Sequence, residues 1–229
     1  MDRIRKELAE VPLSYPADHL HNSYYFLLNK ASQEEITQDL TRFVSVLRQS
    51  LTGVSPNRKL RILYEVLSQS LTYDDAEYPE GRGALRFSCI GGIRSGKAVC
   101  MGIAEMLTLL ASALDLRIQT VIGYGGDPVH NGGLHAWNIV WLPENGVEVP
   151  YHVDLTWDLS EYVGARGYRF YLKSDDYMRK HDHYWLPERY PRCPRDGCLR
   201  QIPHIQPEAI RLICRRLETL RTTNTNDKE

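Results

Sequence analysis

The chain has 229 residues, 42% hydrophobic and 25% charged, a balance that excludes disordered, collagenous and coiled-coil proteins and fits one soluble globular domain. With 28 Lys and Arg against 29 Asp and Glu, the net charge of −1 lacks the basic excess of a phosphate-backbone binder, so nucleic acid is not an expected partner. The five cysteines, Cys89, Cys100, Cys193, Cys198 and Cys214, are odd in number and scattered, which suits a reducing compartment better than a disulfide framework. The N-terminus is charged and lacks the apolar core of a secretion signal, and no apolar run approaches the roughly 18 residues of a membrane span. The expectation is a cytoplasmic protein with no membrane partner.

From Glu34 to about Ser70, Ile36, Leu40, Phe43, Val44 and Leu47, then Leu60, Ile62, Leu63, Val66 and Leu67, recur at helical spacing around a break at TGVSPN, predicting a helical hairpin. Residues 74–97, dense in Gly and charge, read as a long loop. The segment 98–116 is apolar nearly all round, as a helix buried on most sides is, with Ser95 as its N-cap. Strands are predicted over 117–124, 134–142 and 147–157, giving an antiparallel meander after the helix, with a loop at 125–133 and turn chemistry in PENG at 143–146. A last amphipathic helix lies near 207–221, and the tail TTNTNDKE is expected to fray.

Three residues stand out for chemistry. Cys100 falls in the first turn of the buried helix, just after Gly96 and Lys97, where unpaired N–H groups and the helix dipole favour a thiolate. The competing reading is a packed core cysteine, since Cys is among the most buried residue types. His135 opens the second strand and Asp154 closes the third. A four-residue PENG loop sets the two directly opposite on one sheet face, close enough for a carboxylate–imidazole hydrogen bond. A two-residue Asn145-Gly146 turn makes Asp154 diagonal to His135, still within reach.

The stretches GKAVCMGIA, RIQTVIGYG, GLHAWNIVWL and YHVDLTWD resemble the core of the transglutaminase-like superfamily of papain-type thiol enzymes, from about Leu71 to Asp158. YRFYLKSDDYMRKHDHYW further resembles the tail of its bacterial branch, whereas the N-terminal helices match less closely. The resemblance implies an α+β fold with the cysteine at the start of a buried helix packed on an antiparallel sheet. Residues 1–70 would be an N-terminal helical extension, 71–190 the core, and 191–229 a C-terminal loop and helix of one domain. It implies Cys100 as nucleophile, His135 as base and then acid, and Asp154 as the group orienting the imidazole. The expected substrate is an amide carbonyl of a protein or peptide, attacked to form a thioester, with hydrolysis ahead of transfer to an amine. No cofactor and no metal are expected. Arg94, Ser95 and Trp137 are candidate second oxyanion donors, and His130 and His152 lie near the site.

Other classes compete. A catalytically idle protein-binding module could use the same fold. GGIRSGKA at 91–98 nearly spells a phosphate loop, but Ala98 replaces the hydroxyl that would ligate magnesium. His181, His183, Cys193 and Cys198 invite zinc, yet H-x-H followed by C-x4-C fits no common structural site, so surface loop or packing is preferred. Tyr168, Phe170, Tyr171, Tyr184, Trp185 and Tyr190 are read as packing ahead of a peptide-binding wall. Asp158 is the competing acid, expected to lie beyond the strand end.

Overall fold

The computed structural model describes residues 2–10, 30–77, 83–127, 132–159, 168–198 and 207–225. The expected hairpin is α2 (Lys30–Ser50) and α3 (Pro56–Ser70), preceded by α1 (Asp2–Glu10). Pro56 starts α3 where its missing N–H costs nothing. Helical spacing then brings Leu60, Leu63 and Leu67 of α3 and Phe43, Leu47 and Leu51 into one buried cluster.

The stretch read as a long loop is more structured. Flanked by β1 (Thr72–Tyr73) and β2 (Lys97–Ala98), it holds a 3-10 turn (Ala84–Phe87) and α4 (Cys89–Ser95), with 78–82 outside the described residues. The reason is tertiary. Glu105, buried and 16 residues on, accepts the Cys89 N–H at 3.1 Å and so satisfies one exposed donor at the start of α4. Gly91 and Gly92 lie inside that helix, so GGIRSGKA is not a phosphate-cradling loop. Ser95 is not the N-cap of the buried helix. It ends α4, its hydroxyl donating to Gly91 O at 2.8 Å, and α5 (Cys100–Ala113) starts from Val99.

The sheet runs β5-β4-β3-β6, all neighbours antiparallel, with β3 (Ile118–Gly125), β4 (Gly133–Glu144), β5 (Val147–Val153) and β6 (His183–Tyr184). Polar pairs fasten α5 to it. Asn138 Nδ2 donates to Ala104 O at 3.0 Å and to Thr108 Oγ1 at 2.8 Å, and Thr108 meets Thr120 at 2.9 Å. The β4–β5 turn is the two-residue alternative: Asn145 and Gly146 both have positive φ, 50° and 81°, as a primed hairpin turn requires. Glu144 pairs with Val147 and Asn138 with Val153, so His135 and Asp154 are diagonal, not opposed. The third strand also ends early, at Val153, where α6 (Leu155–Leu159) takes over.

Beyond it lie α7 (Asp175–Lys180) and α8 (Pro207–Thr225). The last helix outruns its expected end, and residues 226–229 of the tail fall outside the described residues, as does His130. One apolar cluster joins α2, α3, α5, β4, β5 and α8, and a second gathers Val121, Trp137, Ile139, Phe170, Met178, Trp185 and Cys193. Phe170, Tyr171 and Trp185 are core residues, as packing requires. Among the described residues no helix is long and apolar enough to cross a membrane.

Candidate active site

Cys100 is the first residue of α5, and β2 delivers it there. Lys97 and Ala98 pair in parallel with Thr72 and Tyr73, and the Val99 N–H donates to Arg86 O at 2.9 Å. The thiol is half-buried, and it meets the side chain of His135 and the backbone N–H of Ala136 on β4. Burial alone would push the thiol up. The hydrogen bond and charge of His135, with the Ala136 N–H, outweigh it and hold Cys100 below the usual cysteine value. Lys97, the cation suggested by sequence, is exposed on β2.

His135 turns its other nitrogen away from the thiol. Nε2 donates to Asp154 Oδ2 at 2.7 Å, and the ring stacks on Trp137 with centroids 5.7 Å apart. Burial disfavours the imidazolium, but the Asp154 carboxylate and the Cys100 thiolate overcome it and push His135 up to about 10. Asp154 is fully buried, yet the charges and N–H groups of His135 and His183 hold it well below the usual carboxylate range. Its Oδ1 accepts the Trp157 N–H at 3.0 Å, so the residue that meets the imidazole also caps α6. The Cys100 thiol thus neighbours His135, which is hydrogen-bonded to Asp154, the order of groups that an activated thiol requires.

Other expected members go elsewhere. Arg94 pairs with Glu35 at 3.1 Å, Ser95 is bound to Gly91, and Trp137 Nε1 donates to His152 Nδ1 at 2.9 Å. His152 Nε2 donates in turn to Asp175 Oδ1 at 3.0 Å, which makes it a partner of Trp137 and Asp175. Asp158 lies beyond the strand end, as expected, but within α6 and buried, accepting the Tyr64 hydroxyl and the Phe170 N–H. The four zinc candidates separate: His181 bonds Tyr177 O, His183 reaches Asp154, Cys193 sits by Asp175, and Cys198 is exposed.

Two groups of three donors come within 4.8 Å among the described residues, His135–Asp154–His183 and His152–Asp175–Cys193. In the second, His152 Nδ1 is already accepting from Trp137, which leaves a proton on the nitrogen a metal would need. In the first, the donor atoms are spent on one another.

Sequence reasoning did not place His183 or Tyr73 here. His183 arrives through β6, whose two residues pair with Tyr124 and Gly125 on the edge of β3. The phenol of Tyr73 is raised by burial first and next by the charge of Cys100, which marks it as a neighbour of the thiol.

Residues 46–153 match the family model of the Transglutaminase-like superfamily. No curated protein matches the chain. Among solved structures, the chain is similar to a crystal structure of a TGase, with 17% identity and a TM-score of 0.41 over 67% of this chain and 38% of that one. It is also similar to a structure described as a "Putative Cysteine Protease" from Cytophaga hutchinsonii, with 16% identity and a TM-score of 0.38 over 66% of this chain and 47% of that one. The chain spans less than half the length of either.

Proposed function

We propose that the protein, whose residues 46–153 match the Transglutaminase-like superfamily model, is a cysteine hydrolase acting on amide carbonyls of proteins or peptides. The observation that carries this reading is the unbroken line from a half-buried thiol through His135 to a buried carboxylate. Cys100, whose thiol His135 makes more acidic, passes its proton to His135 and attacks the carbonyl carbon as the thiolate. The developing oxyanion meets the unpaired N–H groups at the start of α5, that of Cys100 among them. His135 then gives its Nδ1 proton to the departing amine, leaving a thioester on Cys100. Water, deprotonated by His135, attacks the thioester, releasing the acid and restoring the thiolate–imidazolium pair. Asp154 holds Nε2–H throughout, which keeps Nδ1 facing the sulfur.

Water is placed ahead of an amine as acceptor because it needs no second binding site. The test is a panel of glutamine-containing peptides with and without an added primary amine, read by mass spectrometry for cleavage, deamidation or amine incorporation. Hydrolytic products that persist with the amine present support the hydrolase. Incorporation alone assigns a transferase, and no turnover with no thioester on Cys100 assigns an idle binding module.

A further inference from the structure

The carboxylate behind His135 serves two imidazoles. His183 Nε2 lies 2.9 Å from Asp154 Oδ2, the same oxygen that His135 reaches at 2.7 Å, and Oδ1 is taken by the Trp157 N–H. The other nitrogen of His183, Nδ1, lies 2.7 Å from the backbone carbonyl of His181. A carbonyl and an ionised carboxylate can only accept, so each ring nitrogen of His183 must donate. The ring is fully buried and enclosed by aromatic groups, with the centroids of Trp157 at 4.2 Å, Trp137 at 5.1 Å and Phe170 at 5.2 Å. Aromatic faces favour a cation that has lost its water.

We propose that His183 is a positioning residue that, as a doubly protonated ring, fixes Asp154 and offsets part of its charge, thereby setting how readily His135 gives up its proton. This rests on the Cys100–His135–Asp154 reading above. With His183 charged, thiolate, two imidazoliums and carboxylate sum to zero. Without it, the whole carboxylate charge would fall on His135, which would hold its proton too tightly to pass it to a leaving amine. The charged and titratable groups around His183 are Asp154 and His135 in contact, His152 across Trp137, Asp182 next in the chain, and Asp158 behind Asp154. His152 does not compete for the charge: its Nδ1 accepts from Trp137, and burial, with His183 adding to it, disfavours its protonation.

The test is alkylation of Cys100 by iodoacetate against pH, in wild type, His183→Gln and His183→Phe. An anionic reagent profits from the His135 imidazolium, so the rate falls where that ring deprotonates. Gln keeps a donor without charge, and Phe keeps only the ring. Both variants should move the alkaline limb upward by about one pH unit. With a peptide substrate, turnover should fall about tenfold or more while KM stays within about twofold, the mark of a lost transition-state contribution. An unmoved limb in both variants overturns the proposal whatever the loss of rate, and a wild-type profile in His183→Gln overturns the charge. Should neither variant fold, nitrogen NMR of histidine-labelled wild-type protein decides: two protonated ring nitrogens at neutral pH support the proposal, and one bare nitrogen overturns it. Wild-type Cys100 alkylating no faster than Cys214 would overturn the underlying thiol reading instead.

Discussion

Among the cysteines, environment separates one from the rest. Burial raises Cys89 to about 12 and lifts Cys193 and Cys214, while His135 draws Cys100 down. Iodoacetamide at about pH 6 is therefore expected to label Cys100 well ahead of Cys89, Cys193 and Cys214, as peptide mass spectrometry would show. Comparable labelling of Cys100 and Cys214 would restore the core-cysteine reading. Asp154→Asn should cut turnover by about 10²–10³, because the amide can favour the wrong His135 tautomer. Asp158→Asn should act on stability instead. Burial, with the charge of Asp154 adding to it, raises the Asp158 carboxyl to about 7, against an unfolded value of about 4. Its contribution is complete below about pH 4 and is lost as pH rises through 7. Asn cannot titrate, so the melting-temperature advantage of wild type over Asp158→Asn should be greatest near pH 4 and shrink by pH 8, with Cys100 labelling still selective. The contact of His135 with Asp154 was legible in the sequence because strand parity survives a two-residue shift of register. Asp158 does lie past the strand end, but its burial was not legible, because the helical turn that follows Asp154 folds it inward. His183 was hidden because a two-residue strand 29 positions from Asp154 brings it in.

At the scale of elements, the site depends on how closely α5 approaches the turn before α4. An added Cβ on Gly102 would lie 2.5 Å from Arg86 O and 2.6 Å from Ser88 O, backbone atoms that cannot rotate away. Gly102→Ala should therefore shift the first turn of α5, costing about 1–3 kcal/mol, and carry Cys100 away from His135. The observable is loss of selective Cys100 labelling together with a lower melting temperature. Gly133→Ala is the control, since its Cβ would meet nothing within 4 Å, and it should behave as wild type. Unchanged labelling in Gly102→Ala would mean that the contact does not position the thiol. The buried helix and three meander strands were readable from apolar period and turn residues. The seven-residue α4 was not, because two glycines dilute its pattern and its N-terminal acceptor, Glu105, lies on another helix.

On the scale of the whole molecule, the matched family region begins at residue 46, inside α2, and so reaches back past the expected boundary at 70. The packing gives a reason. Leu47, Leu63, Leu107, Val140 and Leu217 belong to one buried cluster, so the helical extension, the sheet and the last helix share a core. Arg221 of α8 ties them further, donating to Gly92 O at 2.7 Å, Ile93 O at 3.0 Å and Ser70 O at 2.9 Å. Sequence periodicity found α8 but carried no sign of where it docks. Arg221→Ala leaves these carbonyls without their charged donor, at a cost of about 2–3 kcal/mol. All four tryptophans belong to or pack against the second cluster, so their fluorescence reports the sheet, whereas far-UV circular dichroism reports mainly the helices. If the shared core makes the molecule one cooperative unit, Arg221→Ala must lower both denaturant midpoints equally, although no tryptophan belongs to the cluster that α8 joins. A helical transition that moved while the fluorescence midpoint stayed would mean instead that the sheet holds together without α8, and that the boundaries drawn at 70 and 190 divide independent folding units.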